Sequence, residues 1–288
     1  MSEAMPLKGK PVADGIKSRV VEKVNSWRSK GVEPRIDTIL VAGDPASAYY
    51  ADSKAKAAAK LNIAFHLHEF PESVTEDALL STIRELNEDP VVHGIMLELP
   101  LPSHVSTSTL SAALSPYKDV DGLSPANRLA VVTGEPGLYP ATPLACIQLA
   151  KHYGYELSGK NVVLVGRGKT VGLPLMHLLL RENATVTVCH SRTPDIGSHL
   201  RRADLAFVAV GRAGLVTLGM VHPNLVVIDA GMNETQSGKM VGDVAPDVAN
   251  GVAAMSPTPG GVGTVTTAQL FANLMHAIEL QKREHGEA

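Results

Sequence analysis

One segment constrains this chain more than any other. The apolar run Val162-Val163-Leu164-Val165 leads straight into Gly166-Arg167-Gly168-Lys169-Thr170-Val171-Gly172, and a helix-like stretch begins near Val171. A strand, a glycine turn and a helix start in immediate succession form an anion site, because the free backbone N–H groups and the helix dipole face the same point. Gly166 and Gly168 permit the tight turn, and Gly172 permits close packing of the helix. The spacing, G-x-G-x-x-x-G, is one residue longer than the usual dinucleotide fingerprint, so a purely structural turn is the competing reading. Gly168-Lys169-Thr170 also matches the tail of a nucleotide-triphosphate loop, but the first glycine of that motif would fall on Val163, and the reading fails on spacing.

The segment beyond the next strand candidate, Thr185 to Val188, narrows the ligand. Cys189-His190-Ser191-Arg192-Thr193 contains no acidic residue. An Asp or Glu there would take the ribose 2′-hydroxyl of NAD, whereas the Ser191 hydroxyl and Arg192 guanidinium suit the 2′-phosphate of NADP. Arg167 offers a second cation; the plainer alternative is that both arginines are solvated surface charges.

Strand-like and helix-like segments alternate along nearly the whole chain, which points to an α/β protein with parallel sheets covered by helices. Val12 to Lys30 carries apolar residues at helical spacing and stops at Gly31; Ile36–Val41 reads as a buried strand. Ser47 is placed to cap a helix reaching Leu61. Ile63–Leu67, a helix over Thr75–Asn87 and a strand over Val91–Leu97 come next. Between Pro100 and Pro143 periodicity fades among prolines and glycines, and the stretch is expected to be a long functional loop leading into an interdomain connection. Thr142-Pro143 opens a further helix, and Asn161–Val165, Thr185–Val188, Leu205–Val210 and Leu225–Ile228 read as strands. The final helix is expected over Thr266–Arg283.

At 288 residues the chain is long enough for two domains. A net charge of −3 is no footprint of a nucleic-acid partner. Cys146 and Cys189 sit in apolar surroundings and read as structural thiols, too few for a disulfide framework. The histidines are scattered, and no metal-ligand cluster is expected. Met1 to Lys10 has no apolar h-region and no apolar run is long enough to span a bilayer, so a soluble, cytoplasmic protein away from membranes is expected.

Tyr50 and Lys54 share one face of their predicted helix, being four positions apart. Such a pair either handles protons or decorates a surface. Short-chain dehydrogenases use the same spacing, but there the glycine loop precedes it, and here the order is reversed. Glu98, at the end of Gly94–Pro102, puts an ionisable group where parallel-sheet ligands bind. Asp121, in Lys118-Asp119-Val120-Asp121-Gly122, serves a turn or a ligand equally well on its own.

Taken in order, these motifs closely resemble the bifunctional methylenetetrahydrofolate dehydrogenase/methenyltetrahydrofolate cyclohydrolase family. The matching pieces are Gly43-Asp44-Pro45-Ala46-Ser47 with Tyr50 and Lys54, Gly94–Pro102, Lys118–Gly122, Tyr139-Pro140-Ala141-Thr142-Pro143, the Gly166 loop, His190–Thr193, Ile228–Asn233 and Pro257–Gly263. The resemblance implies two lobes: an N-terminal α/β folate-binding lobe of residues 1–139 plus 265–288, and a Rossmann-type NADP-binding lobe of residues 140–264. The final helix would return to the first lobe. It implies NADP-dependent oxidation of 5,10-methylenetetrahydrofolate to the methenyl compound, then hydrolysis to 10-formyltetrahydrofolate, in one-carbon metabolism and purine biosynthesis. It further implies that Tyr50 stacks on the folate ring, Lys54 is the central proton-handling residue, and Asp121 bonds the pterin. Gly166, Arg167, Gly168, Ser191, Arg192 and Met232 would contact cofactor, and Pro259, Gly260 and Gly261 the substrate. A homodimer without metal is also implied.

The chain departs from the family pattern at several points. Glu98 stands where the family commonly has glutamine, and a carboxylate beside Lys54 would favour the ammonium form and impair any step needing the neutral amine. Thr264-Val265 replaces the usual Pro-Met, Ala126-Asn127-Arg128-Leu129 lacks a small residue after asparagine, and the stretch around Val244-Ala245-Pro246 drifts. Hydride transfer depends mainly on positioning two ligands, so dehydrogenation is expected to be the more robust activity. The alternatives are a monofunctional dehydrogenase with weakened hydrolysis and a non-catalytic folate- or dinucleotide-binding paralogue.

Overall fold

In the computed structural model, which describes residues 4–43, 45–235 and 237–284, the chain runs β1 (Met5–Pro6), α1 (Gly9–Ser29), β2 (Arg35–Val41), α2 (Pro45–Lys60), β3 (Ala64–Phe70), α3 (Glu76–Glu88), β4 (Gly94–Leu97), α4 (Thr107–Ala113) and α5 (Pro125–Thr133). It continues α6 (Ala141–His152), β5 (Asn161–Val165), α7 (Gly172–Arg181), β6 (Thr185–Cys189), α8 (Ile196–Leu200), β7 (Leu205–Val208), β8 (Val226–Asp229), β9 (Asn233–Glu234), β10 (Met240–Val241), β11 (Ala254–Met255) and α9 (Val262–Glu284). The chain divides into two compact units. One holds Met1–Asp14 with Thr142–Gln269, the other Gly15–Ala141 with Leu270–Ala288. The last division falls inside α9, so the last part of that helix belongs with the first half of the chain.

The unit built on Gly15–Ala141 has a three-stranded parallel sheet in the order β3-β2-β4. β2 is central and almost wholly buried, as its apolar run requires. Thr75 caps α3, whose Leu79, Ile83 and Leu86 pack on Ile39, Ile95 and Leu97. In the same unit, Lys23 on α1 pairs with Glu279 on α9 at 2.7 Å, which fixes the two helices against one another.

The other unit carries a six-stranded sheet, parallel throughout, in the order β1-β11-β8-β7-β5-β6. After β6 the chain crosses back over β5 to lay down β7, which makes the carboxyl ends of β5 and β7 a switch point, the place where open α/β sheets bind ligands. Its core is a cluster of mostly small apolar residues, among them Val163, Val165, Ala206, Val208, Val227 and Val244. Both cysteines are buried and unbridged. Among the described residues no helix is long and apolar enough to cross a membrane.

Two expectations need correction. The stretch from Pro100 to Pro143 is not one long loop, since it contains α4 and α5, capped by the Ser106 and Ser124 hydroxyls. At seven and nine residues these helices are too short to show helical periodicity against the surrounding prolines. Ser47 is not a helix cap, because α2 already begins at Pro45; its hydroxyl donates to the Leu99 carbonyl at 3.3 Å instead. Asp44, within the first of the matching motifs, lies outside the described residues.

Candidate functional site

In the unit built on Gly15–Ala141, α2 and the segment after β4 bring two ionised side chains together. Lys54 lies one turn after Tyr50 on α2, and both are partly buried. The Lys54 ammonium donates to both oxygens of Glu98, at 2.8 and 2.9 Å. Glu98 itself is 5% exposed, and its N–H bonds the Ile39 carbonyl, so the carboxylate is delivered by the sheet edge and cannot swing far. Enclosure makes the pair consequential, since a charge removed from water depends on its partner. The Tyr50 ring meets that of the exposed Tyr49 edge-on at 5.9 Å.

Asp121 is held nearby by a turn with three restraints. The fully buried Asp119 accepts from Leu123 N–H, Ser124 N–H and the Asn127 amide at 3.0, 2.7 and 2.9 Å. Asn273 on α9 donates to the carbonyls of Val120 and Tyr139, both at 2.8 Å. Gly122 has φ +65°, and a side chain there would press on the Leu138 carbonyl. Burial pushes the Asp121 carboxyl up to about 6; the Lys54 charge pulls it back, while Asp119 and Glu98 push it further up. Asp121 therefore changes protonation close to neutrality, beside an ammonium held by another carboxylate, which suits proton exchange with a bound ligand.

In the other unit the glycine loop leaves β5 at its carboxyl end. A side chain at Gly166, where φ is +120°, would overlap the Ala209 carbonyl, and one at Gly172 would run into the Gly166 backbone. No side chain caps α7, and the Leu173 N–H turns back to Gly168 O at 2.9 Å. Arg167 and Gly168 are exposed around that helix start. At the end of β6, His190 N–H bonds Thr193 Oγ1 at 3.0 Å and Arg192 N–H bonds His190 Nδ1 at 3.1 Å, a tight turn that leaves Ser191 and Arg192 exposed. A glycine turn, an uncapped helix start and an exposed hydroxyl and guanidinium at the neighbouring strand end fit a dinucleotide with an additional phosphate.

Met232 is 44% exposed on the segment after β8. Pro259 and Gly260 are exposed on the turn before α9, while Gly261 is buried and a side chain there would overlap the Pro257 carbonyl. Thus Tyr50, Lys54, Glu98 and Asp121 gather in one unit, whereas Gly166, Arg167, Gly168, Ser191, Arg192, Met232, Pro259, Gly260 and Gly261 belong to the other. Sequence reasoning passed over Asp119, Asn127 and Asn273, which hold the Asp121 turn, and two buried acids, Asp229 and Asp243. Asp119 and Asp229 lie within motifs that are legible in the sequence, and Asn127 within a segment that departs from the family pattern; nothing in the spacing marks Asn273 or Asp243.

Models of known families match both halves of the chain. Residues 7–121 match the catalytic domain of tetrahydrofolate dehydrogenase/cyclohydrolase, and residues 140–282 match the NAD(P)-binding domain of the same family. The bifunctional protein FolD of Heliobacterium modesticaldum is 50% identical over 96% of this chain and 97% of its own length. The structure of N5,N10-methylenetetrahydrofolate dehydrogenase-cyclohydrolase from Trypanosoma brucei, complexed with NADP cofactor and inhibitor, superposes with a TM-score of 0.92 at 36% identity, covering 98% of this chain and 100% of that one. The bifunctional enzyme from Campylobacter jejuni gives a TM-score of 0.93 at 38% identity, over 96% of this chain and 99% of that one.

Proposed function

The chain belongs to the tetrahydrofolate dehydrogenase/cyclohydrolase family, and from that premise we propose how its own residues divide the work. The enzyme oxidises 5,10-methylenetetrahydrofolate to 5,10-methenyltetrahydrofolate with NADP⁺ and hydrolyses the product to 10-formyltetrahydrofolate. The unit built on Gly15–Ala141 binds folate and the unit with the six-stranded sheet binds the dinucleotide.

Bound NADP⁺ would supply the hydride acceptor for the methylene carbon. The Gly166–Gly168 turn and the start of α7 would hold its phosphates, Ser191 and Arg192 its 2′-phosphate, and Met232 would lie against it. Tyr50 orients the folate ring system by stacking, Asp121 bonds the pterin, and Pro259, Gly260 and Gly261 border the substrate. Lys54 moves the proton of the attacking water during hydrolysis, and Glu98 sets the charge and position of the Lys54 Nζ.

The observation that carries this reading is the partly buried Lys54, gripped by Glu98 and lying in the field of an acid that titrates near neutrality. The test tracks nicotinamide reduction and methenyl absorbance together, with 5,10-methylenetetrahydrofolate and NADP⁺ or NAD⁺. Reduction without methenyl accumulation is expected, faster with NADP⁺; no reduction with either cofactor overturns the reading in favour of a non-catalytic binding protein.

The two-oxygen grip of Glu98 favours a second reading, a dehydrogenase whose hydrolytic step is slowed because both Glu98 oxygens occupy the Lys54 Nζ. Accumulation of the methenyl compound distinguishes it. We further propose a cytoplasmic homodimer; a monomer in sedimentation at micromolar concentration would count against it.

A further inference from the structure

Two buried carboxylates stand at the carboxyl edge of the six-stranded sheet, and the hydrogen bonds that hold them come from backbone and amide donors. Asp243 is fully buried. Its Oδ2 accepts from Val210 N–H at 2.6 Å and Gly211 N–H at 3.0 Å, and its Oδ1 accepts from Arg212 N–H at 2.7 Å and the Asn233 side-chain amide at 2.9 Å. Asp229, at the end of β8, accepts from Gly231 N–H at 2.8 Å, from Asp243 N–H at 3.2 Å and from Val244 N–H at 3.0 Å. Asp229 therefore fixes the backbone of Asp243, and Asp243 fixes two separate loops.

Both loops lie where the dinucleotide site has been read. The loop from Ala209 to Arg212 follows β7 at the switch point, and it touches the glycine turn: a side chain on Gly166 would meet the Ala209 carbonyl and the Val210 side chain. Gly211 and Arg212 are exposed. The second loop, Gly231 to Asn233, carries the exposed Met232. Three consecutive backbone N–H groups turned onto one carboxylate form a nest, and here the chain's own side chain fills it. The space is tight, because a methyl group at Gly231 would overlap the Asp243 carboxylate, and one at Gly242 would overlap that of Asp229.

We propose that Asp243, seated by Asp229, is a positioning residue for the dinucleotide: its carboxylate sets the two cofactor-facing loops, Val210–Arg212 and Gly231–Asn233, against the Gly166 turn. The inference rests on the reading of this unit as the NADP-binding one. Each Asp243 oxygen already serves two donors. An asparagine amide, whichever way it turns, points its NH₂ at one or two fixed backbone N–H groups and leaves them without an acceptor. The loops must then shift, while Tyr50, Lys54, Glu98 and Asp121, which belong to the other unit, keep their own contacts.

The test is steady-state kinetics of Asp243→Asn beside the wild type, with both substrates varied. The expected result is a KM for NADP⁺ raised by about tenfold or more, with kcat at saturating NADP⁺ and KM for 5,10-methylenetetrahydrofolate each within about twofold of wild type. Gly231→Ala displaces the same carboxylate without changing its charge and is expected to raise the same constant. An unchanged KM for NADP⁺ in folded Asp243→Asn overturns the proposal, and so does a fall in kcat alone, which reports only a smaller active fraction. Should Asp243→Asn not fold, Gly231→Ala carries the test; failure of both to fold assigns the carboxylate to the fold alone and also overturns it. A wild type that turns over no NADP⁺ would instead refute the functional reading.

Discussion

Glu98 and Asp243 are both carboxylates with almost no exposed surface, and the two units satisfy them in opposite ways. Glu98 is neutralised by one flexible cation, Lys54, through two short bonds. Asp243 is satisfied by three backbone N–H groups and one side-chain amide. A lysine stem can rotate away and its ammonium can lose a proton, so the first arrangement can take part in chemistry. Backbone amides can do neither, so the second can only hold shape. The same contrast runs through the two acids that burial pushes up to about 6: Asp121 lies in the field of the Lys54 cation, whereas Asp229 is compensated by backbone N–H groups.

The most disruptive way to break the first arrangement is Lys54→Ala. It leaves Glu98 enclosed without its cation, which should cost on the order of 3–5 kcal/mol in folding stability by chemical denaturation. It should also slow methenyl hydrolysis by roughly 10²–10⁴-fold, sparing part of the hydride transfer. Equal loss of both activities in folded protein would deny Lys54 a separate hydrolytic role.

Glu98→Gln sharpens the comparison, because it frees the lysine without removing it. Methenyl hydrolysis should rise by about fivefold or more, with a modest loss of thermal stability as Lys54 gives up its counter-charge. No gain in hydrolysis would mean that the ion pair does not limit that step.

Arg192→Ala tests whether the dinucleotide unit reads charge at its rim. The preference for NADP⁺ over NAD⁺ in kcat/KM should fall by about tenfold, since one charge-assisted contact to the 2′-phosphate is lost. An unchanged ratio would return Arg192 to the solvated surface.

A pH-dependent effect separates the two raised acids. Asp121 binds its proton more tightly when folded, so its stabilising contribution is complete below pH 3.8, the unfolded value, and is lost as pH rises through about 6. Asp121→Asn removes that loss, so its stability relative to wild type should increase between about pH 4 and pH 7 by about 1–3 kcal/mol. Asp229 shares the sign and the window. Asp229→Asn should nonetheless be less stable than wild type throughout, because an NH₂ group would face backbone N–H donors. Stabilities of the two variants that coincide relative to wild type at every pH would erase the distinction.

How much was legible in the sequence depends on the range of the interaction concerned. The strand Asn161–Val165 was read to the residue, because a run of branched apolar side chains between turns is a local signal. The glycine loop, the Tyr50–Lys54 spacing and the exposed Ser191-Arg192 pair were legible for the same reason. β1 and β11 were not, at two residues each, since they are strands only through the partners that the sheet supplies. The departure at Glu98 could be seen, but not that its two oxygens both grip Lys54, 44 positions away.

By itself the sequence determined the α/β alternation, the order of the motifs and, through them, the family. All of these are written in residue type and short spacing, where side-chain sterics and backbone periodicity act over a few positions. Only the tertiary structure decided which acids are enclosed and what compensates each one: an ammonium at Glu98, backbone amides at Asp229 and Asp243, and a mixed field at Asp121. A carboxylate carries the same formal charge wherever it stands in a chain. Its proton affinity and its freedom to move depend on the water it loses and the donors it gains, and folding supplies both from distant parts of the sequence.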